Sequence, residues 1–199
     1  MPYIVFKGIT RSDDPIFDIV NPLPKDSKRL DIPDNFMISS LLFAIPFALL
    51  CFLAMIWKTY MNSYFPFNKF IIPLGIILGF LCTFIHEFLH ALPYPKDQAA
   101  YIGFIPKGLI FYMKCAAPLR RNRFILMSLL PVILGMIPLA IFLIFPARWT
   151  TLNTIMWIMA VMGLISPAPD YMNVYYVLKD VPADASIQDG ENGLYWYQD

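Results

Sequence analysis

Residues 70–92 read FIIPLGIILGFLCTFIHEFLHAL. The stretch holds one acidic residue and no lysine or arginine. At 1.5 Å per helical residue it is long enough to cross a bilayer core of about 30 Å. It also ends in His86-Glu87-Phe88-Leu89-His90, three ionisable side chains within five positions. A lipid-compatible helix that closes on such a group sets the frame for the whole chain.

Three more apolar runs fit that frame: Phe36–Trp57, Phe124–Phe145 and Thr151–Leu178. Hydrophobic residues make up 58% of the 199 residues and charged residues 15%, against about 25% charge in soluble domains. The expected fold is therefore an all-α membrane protein with four transmembrane helices. A small β-hairpin is expected between the second and third. There, Tyr101–Ile105 and Leu109–Met113 are β-prone and flank Pro106-Lys107-Gly108. That hairpin reads either as a loop at the membrane surface or as a strand edge able to pair with an unwound substrate. The expected organisation is an N-terminal segment 1–35, a membrane domain 36–178 and an acidic tail 179–199. Tyr3–Phe6 could form a short strand. The tail (Asp180, Asp184, Asp189, Glu191, Asp199) reads as a loosely ordered terminus, with Tyr195-Trp196-Tyr197 touching the interface.

Lysine and arginine placement sets the orientation. Twelve lie in the N-terminal segment, the 92–123 connection and the tail; three, Lys58, Lys69 and Arg148, lie on the opposite side. Both termini are expected in the cytosol, of a bacterial plasma membrane. The formal net charge of +1 gives no electrostatic case for a nucleic-acid partner. Cys51, Cys82 and Cys115 form no CxxC pair, so a cysteine-only metal site or disulfide framework is not expected.

The chemistry concentrates in residues 86–90. Positions four apart share a helix face, so His86 and His90 can bind one metal ion, and Glu87 stands beside it, free to take a proton from a water. These are the chain's two histidines. Across the four runs only Glu87 and Asp170 are carboxylates. Ionisable groups at membrane depth are costly and usually functional. His86 falls about 24 Å along its span and Asp170 about 28 Å along the fourth. Alternating spans two and four run in the same direction, which brings both to similar depth. Asp170 is thus the favoured third ligand. Asp97, seven residues after His90, is the rival, and Cys82 lies one turn before His86. Two imidazoles and a carboxylate with an open fourth position make the catalytic form of a zinc site. Ser166-Pro167-Ala168-Pro169-Asp170 must interrupt its helix. Broken backbone at that depth suits a water-lined cavity. Asn173, one turn on, could orient Asp170 or donate to an oxyanion.

His86-Glu87-Phe88-Leu89-His90, the basic entry Pro118–Phe124 and Ser166–Asp170 together give a resemblance. The chain resembles a bacterial family of integral-membrane zincin peptidases of unknown function. In motif layout it is similar to the site-2 protease class of intramembrane zinc metalloproteases. The resemblance implies Zn2+ held by His86, His90 and Asp170, with Glu87 as catalytic base. It implies a membrane-protein or peptide substrate reached from the bilayer. The site-2 class usually has Gly after the aspartate, whereas Tyr171 follows Asp170 here. Two other readings stay open: a non-catalytic metal sensor, carrier or structural clasp, and a membrane enzyme with a non-peptide substrate. Oligomeric state is not legible in the sequence.

Overall fold

The computed structural model describes residues 1–33 and 35–198; Asp34 and Asp199, the latter counted above with the acidic tail, lie outside them. The helices are α1 (Phe36–Asn62), α2 (Ile72–Ala91), α3 (Arg121–Leu129), α4 (Ile133–Ile144), α5 (Thr150–Ile165) and α6 (Ala168–Asp180). Among the described residues four helical stretches are long and apolar enough to cross a membrane: Phe36–Asn62, Lys69–Ala91, Arg121–Ile144 and Thr150–Asp180. The last two are interrupted. A 3-10 turn at Leu130–Val132 separates α3 from α4, and a turn at Ser166–Pro167 separates α5 from α6. Each break holds a proline, which has no N–H to continue the helical ladder.

The chain divides into two compact units. One comprises Asn35–His86 and Pro131–Met172. It is a helical bundle whose buried centre includes Cys51, Leu139, Phe142, Ala160 and Leu164. Its outward side chains, among them Leu41, Leu42, Ile45 and Phe52, are apolar and exposed, which is compatible with a lipid-facing surface. Glycines set the helix spacing. A Cβ placed on Gly163 of α5 would stand 2.7 Å from the Gly135 nitrogen of α4, so the two backbones meet directly. Hydropathy would end the first span at Trp57, yet α1 continues to Asn62. The reason is Lys58, which is 2% exposed. Its Nζ donates to the Phe142 carbonyl, to the Phe145 carbonyl at 2.7 Å and to Asn153 Oδ1 at 2.6 Å. Those carbonyls end α4 and have no partner within it. The ammonium also complements the negative end of that helix.

The other unit comprises Met1–Asp34, Glu87–Leu130 and Asn173–Asp199. It holds β1 (Tyr3–Ile9), β2 (Lys28–Arg29), β3 (Ala99–Ile105), β4 (Ile110–Lys114), β5 (Leu119–Arg120), β6 (Ser186–Gly190) and β7 (Gly193–Tyr197). They form a three-stranded sheet in the order β1-β3-β4 and a four-stranded sheet in the order β2-β7-β6-β5. β1 runs parallel to β3; the other pairs are antiparallel. The core of this unit joins Tyr94, Ala100, Leu119, Phe124, Val177 and Ile187. Beside that core, half-buried Arg121 donates to the Val177 and Leu178 carbonyls in the last turn of α6.

The expectation of an all-α protein with one small hairpin is therefore corrected to a mixed fold with two sheets. The hairpin at Pro106-Lys107-Gly108 is present as β3 and β4, but it also takes a third strand from the N-terminus. The acidic tail is not a loose terminus: β6 and β7 form a second hairpin around Glu191 and Asn192, with Gly193 at φ +123°. The loop is Glu191-Asn192, with Gly190 and Gly193 paired across it, a polar turn that acidic composition alone does not reveal.

Gly163→Ala should cost roughly 1–3 kcal/mol, because the new methyl meets backbone that cannot step aside. Thermal unfolding in detergent checks this. Gly79→Ala, where the methyl would meet the flexible Met162 side chain, should cost less. Equal midpoints for the two variants would remove Gly163 from the account of helix spacing.

Candidate metal centre

α2 carries His86, Glu87 and His90 in its last two turns. The helix persists to Ala91 because its outer residues are leucine, isoleucine and phenylalanine, and it stops where Pro93 and Pro95 deny it further N–H donors. Gly75 and Gly79 lie eleven and seven residues before His86, on the same face of α2. A Cβ on Gly75 would stand 2.8 Å from Ile158 Cδ1 of α5. The histidine face of α2 is thus the face that packs on α5.

Asp170 reaches the site by the break in the fourth span. α5 ends at Ile165, and Asp170 sits in the first turn of α6. A helix N-terminus favours a carboxylate there. The break releases carbonyls, and Tyr171 meets one of them: its hydroxyl donates to the Leu164 carbonyl at 3.0 Å, and its ring stacks on Phe47. A tyrosine after the aspartate, unusual for the site-2 class, is thereby explained as a brace for the kink.

His86 Nε2 and Asp170 Oδ2 are 3.4 Å apart, with side chains 13% and 19% exposed. One ligand atom from each of His86, His90 and Asp170 lies within 4.8 Å of the other two. Two donors held tetrahedrally at about 2.0–2.1 Å from one zinc ion stand roughly 3.4 Å apart. The His86–Asp170 pair stands at that separation, and His90 offers the third ligand atom of the group. His90 is buried, and its Nδ1 lies 2.9 Å from the Met127 carbonyl. A carbonyl only accepts, so Nδ1 donates and Nε2 is left with its lone pair for a metal.

The other sequence candidates fall as follows. Glu87 is half-buried on α2, next to His86. Asn173 is half-buried on α6, three residues after Asp170, with an Oδ1 that is buried and has no hydrogen-bond partner among the described residues. Asp97 is exposed, receives a hydrogen bond from Gln98, and is not part of the three-residue group. Cys82 is a free thiol, also outside that group. The Met127 carbonyl and the Tyr171 hydroxyl are not legible as site groups in the sequence. Neither belongs to a ligand motif, and each acts on or beside the site through backbone.

Residues 79–186 match the family described as "Putative zincin peptidase". The chain belongs to that family. The match covers more than half of the chain and includes the last turns of α2 and all of α3 to α6. No curated protein and no solved structure matches the chain. Family membership makes this a protein of the metallopeptidase kind, and it implies zinc as the metal. A donor set of two imidazoles and one carboxylate would also serve iron(II); the family is what selects zinc.

Asp170→Ala should lower zinc affinity by at least about tenfold, whereas Asp97→Ala should leave it unchanged. Metal content after dialysis against a chelator reads both. Full retention in the Asp170 variant would remove that residue from the ligand set.

Proposed function

We propose that the protein is a membrane-embedded zinc metalloprotease that hydrolyses peptide bonds in membrane-protein or peptide substrates. The observation that carries this reading is the convergence of His86, His90 and Asp170, with Glu87 beside them on α2. When bound, zinc would acidify a water molecule toward a pKa of about 7 and polarise the scissile carbonyl. His86, His90 and Asp170 hold the ion and leave one position open. Glu87 accepts the proton from the attacking water and delivers it to the leaving amine. Asn173 has an unfilled Oδ1 that suits a donor such as a substrate N–H, while its amide hydrogens suit an oxyanion. The broken backbone at Ser166–Pro167 stands close in sequence to Asp170, and a water path to the metal would run along such a break.

The same reading assigns the cytosol to both termini. The N-terminal segment, the connection between α2 and α3, and the tail carry twelve of the fifteen basic residues. Strands from these three segments pair with one another, which requires them to share a side of the membrane.

Glu87→Gln should keep bound zinc and lose cleavage by at least about a hundredfold. Metal analysis, together with comparison of membrane-peptide fragments in cells carrying wild type or the variant, tests this. Unchanged fragments with unchanged zinc would favour the clasp, carrier or sensor, none of which needs a proton acceptor beside the first histidine.

A further inference from the structure

We propose that Pro131 is a positioning residue for the metal centre: lacking an N–H, it leaves the Met127 carbonyl open to His90 and so fixes which ring nitrogen faces the metal. The inference rests on the zinc reading above.

In an α-helix each carbonyl accepts from the N–H four residues on. For Met127 in α3 that residue is Pro131, which has none. Three residues on is Leu130, whose N–H is already committed to the Leu126 carbonyl. The Met127 carbonyl is thus released at the point where α3 gives way to the 3-10 turn. A buried carbonyl without a donor is costly. His90, 7% exposed, supplies the donor through Nδ1 at 2.9 Å. That bond stabilises the Nδ1–H tautomer and holds the ring plane. Both effects present the Nε2 lone pair to the metal. The break in the third span is therefore a source of order for the second histidine, and more than a tolerated kink.

The proline makes the proposal testable, because substitution restores the missing donor. Pro131→Ala places an N–H where it competes with His90 for the Met127 carbonyl. Pro131→Gly supplies the same N–H with less drive toward helix, and serves if the alanine variant misfolds. Pro138, buried inside α4, is the control: Pro138→Ala also returns an N–H to a helix, onto the Leu134 carbonyl.

Two readouts on the full-length protein in detergent are needed: zinc affinity by chelator competition, and ring 15N shifts of metal-free, histidine-labelled protein. With two histidines in the chain the spectra are simple to assign. The expected result is that the Pro131 variants lose about tenfold in zinc affinity and gain an Nε2–H population at His90, while Pro138→Ala does neither. Wild-type tautomer and affinity in both Pro131 variants would overturn the proposal. So would an equal loss in Pro138→Ala, which would mark a general effect on helix stability. Should wild type bind no zinc, the metal reading fails, and the 15N shifts still decide whether Pro131 sets the His90 tautomer.

Discussion

A buried carbonyl released where a helix breaks has no water to turn to, so a side chain or another backbone must meet it. Several of the polar contacts that define this fold answer that demand. Lys58 meets the carbonyls at the end of α4. Tyr171 meets Leu164 at the break before α6. His90 meets Met127 near the end of α3. Arg121 meets Val177 and Leu178 at the end of α6. Two of these donors stand at the metal centre or next to it. At Asp170 and at His90 a backbone break supplies the helix start or the carbonyl partner that the side chain uses.

The same constraint explains why Asp170 is where it is. A half-buried carboxylate in mid-helix would lack the free backbone N–H groups that offset its charge at a helix start. Pro167 and Pro169 place it in the first turn of a new helix, at the positive end of the dipole, 3.4 Å from His86 Nε2. The carboxylate thus has favourable surroundings before any metal is considered. A metal ion would add to a group that the backbone has already assembled.

Much of the site was legible in the sequence. His86 and His90 share a face through simple helical spacing, and Asp170 was found as the single carboxylate at matching depth on another span. The positions of the four apolar runs were legible because hydropathy is a local property. The β3–β4 hairpin and a strand near Tyr3–Phe6 were also legible, but the long-range pairing and the second sheet were not. β1 pairs with a strand more than ninety residues away, and β2 and β5 are two residues each, too short to carry a periodic pattern. Their pairing is decided by tertiary context. The end of α1 at Asn62 is hidden from hydropathy for a related reason. Lys58 reads as a boundary until its carbonyl partners, some eighty residues on, are known.

X-ray absorption at the zinc edge of the purified protein tests the central claim most directly, since it reports the ligand atoms without reference to any variant. One zinc with a shell of nitrogen and oxygen at about 2.0–2.1 Å, including the multiple scattering of two imidazoles, is the predicted result. A sulfur neighbour at about 2.3 Å, or a shell without imidazole, would contradict a centre built from His86, His90 and Asp170.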